Sequence, residues 1–306
     1  MNSAANSQLR RRCGFDLKNK LVKTAMSEKM AQNLLPSANR RALYKRWAEG
    51  GWAVLITGGF CEELCPYIEK LALTSLSAIP INLGDNTVAN LIPYQAGFQG
   101  VEVHAAHGFL LSQLMSPNSN KRDDEFGGST DKRVELVLRI IRSIRREVPE
   151  AFYVGVKMNS ADFKDEEDPQ MMNTESSLQL SSTRSRSSIR EEFFLRTSEE
   201  IRCRFPDLEL LVTGRFRSRN GVAGALDSNA FDLIGLGRPA VKYPELPNKI
   251  MFNEDIRDDE ARFDVESAPA AGWLASKVRS VGAGAETKYW VAAMKNLSYT
   301  YSSLGE

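Results

Sequence analysis

The chain has 306 residues, 42% of them hydrophobic, which is enough to bury the core of one α/β barrel domain of about 250 residues. Its 40 Lys+Arg offset 39 Asp+Glu to a net charge of +1 with no concentrated basic face, so a nucleic-acid partner is not expected. No apolar run approaches the ~20 residues of a membrane span, Arg10, Arg11 and Arg12 have no apolar segment after them, and Cys13, Cys61, Cys65 and Cys203 are too scattered for a disulfide scaffold. A cytoplasmic protein without a membrane partner is the expectation.

Residues 17–27 hold a short strand in which Leu21 and Val22 lead to Ala25, Met26 and Ser27. On its own, Met26 reads as a core residue. Residues 40–49 read as a helix with Leu43 and Trp47 on one face, ended by Gly50 and Gly51 supplying positive φ. Trp52-Ala-Val-Leu-Ile-Thr-Gly-Gly59 reads as a continuous apolar strand of a parallel sheet covered on both faces, with Gly58 either making its turn or admitting a close neighbour. Cys61 and Cys65 with two histidines would make a tetrahedral zinc set, but the spacing is not that of a finger or ribbon, and no metal is expected.

Residues 101–103 read as a buried strand that delivers the two histidines of the chain, His104 and His107, at its C-terminal edge. An apolar turn, a polar loop closed by Gly127 and Gly128, and a helix over 131–148 follow. Val134, Val137, Leu138, Ile140, Ile141, Ile144 and Val148 make that helix's apolar stripe and arginines its other face, while Arg122 and Asp124 are expected to pair and brace the loop. Residues 152–160 predict a strand with Lys157 pointing inward near its end, which is costly unless the cation meets a partner. The segment 165–188 is rich in acids, then in Ser and Arg, with Leu178-Gln-Leu180 as its one strand-like piece, and predicts a disordered insertion. A helix resumes over 189–205, and 208–217 and 231–239 read as the last two strands, ending at Gly214-Arg215 and Gly237-Arg238.

The string His104-Ala-Ala-His-Gly-Phe-Leu-Leu-Ser-Gln-Leu-Met-Ser-Pro117, followed by Asn120-Lys-Arg-Asp-Asp-Glu-Phe-Gly-Gly-Ser129, resembles the fourth-strand signature of the Old Yellow Enzyme family of FMN-dependent NAD(P)H:flavin oxidoreductases, in a fungal-type form. The resemblance implies a single (β/α)₈ TIM-barrel domain over 1–306, with FMN and NAD(P)H as cofactors. Its partner would be a small-molecule electron acceptor: an activated alkene, a quinone or oxygen. It places His104 and His107 on the acceptor's oxygen, Ala25, Met26 and Ser27 against the flavin ring, and Gly58 where the flavin nears the backbone. Lys157 would face the flavin N1/C2 edge, and Gly214, Arg215, Gly237 and Arg238 would hold its phosphate.

The chain also departs from the family. Only 46 residues separate Gly58 from His104, about half the family's interval, and a βα unit needs about 30 residues or more. The third strand, with its Gln-x-x-His-x-Gly-Arg pattern, has no counterpart, and the sixth strand is vestigial, so an incomplete or distorted barrel is expected. Arg215 stands where the family has a second glycine. Phe109 stands where the family has the tyrosine that protonates the alkene. Two readings stay open: an FMN-dependent oxidoreductase slow at alkene reduction, and a non-catalytic relative that binds FMN weakly or not at all. The oligomeric state is not fixed by the sequence.

Overall fold

Parallel strands covered on both faces are apolar at successive positions rather than alternating, and the short runs Leu-Val-Lys and Leu-Ile-Gly-Leu are buried throughout. The computed structural model describes residues 9–10, 16–32, 35–58, 94, 97–159, 197–214, 216–266 and 279–302. In chain order these form β1 (Leu9–Arg10), β2 (Asp16–Leu17), β3 (Leu21–Lys23), β4 (Ala31–Gln32), β5 (Leu35–Pro36), α1 (Ala38–Glu49), β6 (Val54–Leu55) and β7 (Gly100–Ala105). They continue with α2 (Leu110–Met115), α3 (Thr130–Glu147), β8 (Tyr153–Met158), β9 (Leu211–Thr213), α4 (Arg219–Asp227), β10 (Leu233–Leu236), α5 (Arg238–Lys242), a π-helical turn (Pro247–Met251) and α6 (Arg279–Ser302). A further helical stretch covers 197–204.

Two compact units result. The first takes the described residues of Met1–Arg10, Asp16–Glu62 and Arg184–Glu306. Its main sheet is wholly parallel, in the order β6-β3-β10-β9. β10 is central, and Leu233, Ile234 and Leu236 are at most 2% exposed, each contributing about 1.5–3 kcal/mol by burial. The sheet's core continues into Leu43 and Trp47 of α1, Val222 and Leu226 of α4, and Trp290 and Met294 of α6. Two indoles fasten it, because Trp47 Nε1 donates to Ala240 O and Trp52 Nε1 to Pro244 O, both at 2.7 Å. β1 with β2, and β4 with β5, form separate antiparallel pairs.

The second unit takes the described residues of Arg11–Phe15 and Glu63–Thr183. Its sheet is the parallel pair β7-β8, in unbroken register from Gly100↔Tyr153 to Ala105↔Met158. Helix α3 lays Leu136, Ile140 and Ile144 on that pair.

Eight parallel strands in chain order close a barrel when the last lies beside the first. The order β6-β3-β10-β9 is what the second, first, last and next-to-last strands of such a series give, and β7-β8 is by itself a parallel pair of consecutive described strands. The stretches expected to lack the third strand and to hold a vestigial sixth, the insertion over 165–188, and Cys61 and Cys65 lie outside the described residues.

Several boundaries differ from expectation for identifiable reasons. Helix α1 begins at Ala38 because the Ser37 hydroxyl accepts the Arg40 N–H at 3.2 Å. Gly50 stays right-handed and donates back to Arg46 and Trp47; positive φ belongs to Gly51, at 96°. Of the apolar run 52–59, the described residues 52–58 are a strand only over β6, although Ala53 N–H to Leu21 O and Ile56 N–H to Lys23 O extend its bonding. On α3 the buried stripe is Leu136, Val137, Ile140 and Ile144, whereas Leu138 is 38% exposed, so the expected stripe was out of phase at that position.

Candidate active site

Successive residues of a strand point to opposite faces. On β7 and β8, Val101, Val103, Val154 and Val156 pack against Leu114, Phe126 and α3. Glu102 and His104 therefore take the other face, in register with Gly155 and Lys157. Lys157 takes the face away from α3, paired in register with His104.

Past β7 the backbone reverses abruptly. His107 and Gly108 both have positive φ, 61° and 75°, and a non-glycine residue in this region costs about 1–3 kcal/mol and persists only where its surroundings hold it. Here Asn159 holds it, accepting the His107 N–H at 3.0 Å while donating to Ser112 Oγ at 3.3 Å. The reversal brings the imidazoles of His104 and His107 edge to face at 5.2 Å and sets the Phe109 ring 4.9 Å from His104. His104 Nδ1 accepts the Ala106 N–H at 3.2 Å, so the neutral ring carries its proton on Nε2 and can donate from there. Burial, then the Lys157 ammonium, then His107 lower the His104 pKa to about 4, and burial and Lys157 also lower that of His107. Two neutral imidazoles beside a cation can stabilise an oxygen that gains negative charge. Glu102, on the same face, has its pKa raised by burial, an effect Lys157 partly offsets.

The second half of the signature is structural. The Asn120 amide donates to Leu114 O and Phe126 O at 2.6 and 2.7 Å, and Arg122 Nε donates to Asp124 Oδ1 at 3.0 Å, the expected brace.

In the first unit, Met26 and Gly237 meet at the C-terminal ends of β3 and β10, where a Cβ on Gly237 would lie 3.2 Å from Thr24 Oγ1 and 3.6 Å from Met26 Sδ. Ala25 is half-buried and Ser27 exposed beside them. Gly58 is buried, and a Cβ there would fall 2.3 Å from both Met26 O and Glu28 Oε2, so local packing alone requires glycine. Gly214 lies against the Phe216 ring, and Arg215 lies outside the described residues. Arg238 opens α5 and pairs with Glu286 of α6 at 2.9 Å.

Sequence reasoning missed two features. Asn159 follows Lys157 closely in sequence, but its bond to His107 spans 52 residues. A buried ion cluster of Lys23, Glu28 and Arg40 with Tyr44 gave no local signal.

Residues 88–256, more than half of the chain, match the sequence profile of the NADH:flavin oxidoreductase / NADH oxidase family. The chain belongs to this family. An NADH-dependent flavin oxidoreductase of Hypocrea jecorina (strain QM6a), iliE, is 28% identical over 364 aligned positions that take in 82% of this chain and 89% of that protein. That alignment is longer than the 306-residue chain, so the relative has stretches with no counterpart here. The solved structure of a 2-naphthoyl-CoA reductase in complex with 2-naphthoyl-CoA superposes with a TM-score of 0.65 at 18% identity, covering 85% of this chain and 53% of that one. Old Yellow Enzyme from Pichia sp. AKU4542 gives 0.59 at 20% identity, covering 82% and 87%. The fold class is thus α/β, that of the TIM barrels of the Old Yellow Enzyme type. No helix among the described residues is long and apolar enough to cross a membrane.

The family's cofactors are FMN and NAD(P)H, and each unit by itself presents residues of the kinds a flavin uses. The second unit offers a cation and two neutral imidazoles at the end of β7; the first offers glycine and methionine at adjoining strand ends with an arginine beside them.

Proposed function

We propose that this protein is an FMN-dependent oxidoreductase that draws on NAD(P)H and acts on a small-molecule acceptor: a quinone or oxygen in preference to an activated alkene. The observation that carries the reading is the neutral His104–His107 pair beside Lys157 at the end of β7. Ala25, Met26, Ser27 and Gly58 would hold the ring system, Lys157 its N1/C2 edge, and Gly214, Arg215, Gly237 and Arg238 the phosphate. FMN, when bound, supplies the relay of hydride from NAD(P)H to the acceptor.

The chain's own residues set the rest. Nε2–H of His104 and one N–H of His107 donate to the acceptor's oxygen, and because burial and Lys157 keep both rings neutral, each donates without carrying charge. Phe109 has no proton to give at the position of the family's tyrosine, and a positioned general acid is commonly worth about 10²–10⁴ in rate. Acceptors that need no protonation at carbon are therefore favoured.

One observation supports the reading of weak FMN binding as well. Arg238 already pairs with Glu286, and a phosphate would compete with that carboxylate for the guanidinium. Steady-state turnover of FMN-supplemented protein with NADPH tests the assignment: menadione or oxygen should be reduced faster than 2-cyclohexenone. Faster enone reduction would overturn the acceptor preference, and no turnover with any of them would overturn the enzyme assignment.

A further inference from the structure

The ion cluster in the first unit is fully buried. Lys23 and Glu28 are 0% exposed and Arg40 is 7% exposed. Lys23 Nζ reaches Glu28 Oε1 at 3.2 Å, Tyr44 OH at 3.1 Å and Ile56 O at 3.1 Å, with the Trp47 ring 4.2 Å away. Tyr44 OH donates to Glu28 Oε1 at 2.5 Å. Replacing such a cluster by apolar side chains is often neutral or stabilising, so stability alone is a weak reason for the chain to hold one.

What distinguishes this cluster is its grip on one peptide. Glu28 Oε1 accepts the Gly58 N–H at 3.3 Å, and Arg40 Nη2 donates to Gly58 O at 3.4 Å while lying 3.4 Å from Glu28 Oε2. One carboxylate and one guanidinium thus hold both polar groups of Gly58. The absence of a Cβ lets that residue close to the point where Met26 O and Glu28 Oε2 would each be 2.3 Å from one. Met26 in turn neighbours Gly237. Glu28 Oε2 is buried without a hydrogen bond, so its charge is balanced through the Arg40 pair, and the orientation of the carboxylate is dictated by the other oxygen.

We infer that Glu28 and Arg40 are positioning residues that fix the Met26–Gly58 corner for a flavin, without touching the cofactor. This rests on the FMN reading above. Glu28 sets the N–H side of the Gly58 peptide and Arg40 the C=O side, and Lys23 and Tyr44 hold the carboxylate in place.

The test uses the full chain and two readouts. Hydrogen–deuterium exchange of the FMN-free protein reports the 54–58 backbone, and FMN titration followed by flavin fluorescence quenching reports affinity. Glu28→Gln should speed exchange over 54–58 at least tenfold and weaken the FMN dissociation constant at least tenfold. If Glu28→Gln does not fold, the Lys23→Met/Glu28→Leu/Arg40→Met triple variant removes every charge of the cluster and leaves none buried and unpaired. It should fold, with the same fast exchange and weak FMN binding. Unchanged exchange over 54–58 in a folded variant, or an FMN affinity within twofold of the parent, overturns the inference. A parent chain that binds no FMN overturns the cofactor reading and the flavin role of the corner with it, while the exchange data then show separately whether Glu28 holds Gly58.

Discussion

Introducing a hydroxyl at position 109 is the sharpest perturbation of the proposed chemistry. Phe109 stands at the N-cap of α2 with extended backbone (φ −72°, ψ 170°), makes no side-chain cap bond, and is 42% exposed. Phe109→Tyr therefore adds a hydroxyl that water can reach, and stability should change by no more than about 0.5 kcal/mol. Its ring lies 4.9 Å from His104, so the new hydroxyl enters the neighbourhood of the two imidazoles. A positioned acid is worth about 10²–10⁴ in rate, or about 2.7–5.4 kcal/mol of barrier at 1.36 kcal/mol per decade. The assay compares anaerobic 2-cyclohexenone reduction by FMN-loaded protein and NADPH with menadione reduction by the same sample. Enone turnover should rise by about 10²-fold or more while menadione turnover stays within twofold. An unchanged enone rate with bound, NADPH-reducible flavin would refute the role given to position 109; an equal rise with both acceptors would show that the change acts elsewhere.

Since the chain has two histidines, their titrations can be read directly by NMR of the imidazole carbons: His104 should titrate near pH 4 and His107 below the ordinary 6.5. Both pKa values are depressed, so their contribution to stability is present above pH 6.5 and is lost as pH falls toward 4, the unfolded chain taking up the protons first. Lys157→Met should raise both midpoints, and no movement would show that Lys157 does not face the pair. Trp47→Phe removes the indole bond to Ala240 O at a site 0% exposed and weakens the contact with Lys23; a loss of about 2–3 kcal/mol is expected in urea unfolding, and a loss under 0.5 kcal/mol would contradict the packing described.

Much of the fold and part of the site could be read from short-range pattern. The strand ahead of His104, the amphipathic α3 and the Arg122–Asp124 brace each involve residues close in sequence, where periodicity and spacing report geometry directly. Leu138 was misplaced because six other apolar residues lie within about four turns of it, and small errors of phase move one of them to solvent. The Lys23 cluster was unreadable for a different reason. A lysine ending an apolar run looks like a strand terminus, and its partners Tyr44 and Ile56 lie 21 and 33 residues away. Asn159 is similar: its role exists only once β7 and β8 pair in register. Local rules locate elements and strand ends, whereas buried charges depend on which ends the sheet brings side by side.

Whether the chain holds a flavin decides what His104, His107 and Lys157 can do. The deciding measurement is the visible absorption spectrum of the purified protein after incubation with FMN and gel filtration, followed by anaerobic NADPH. A retained yellow chromophore that NADPH bleaches is the predicted result. A folded protein that emerges colourless after reconstitution would contradict it.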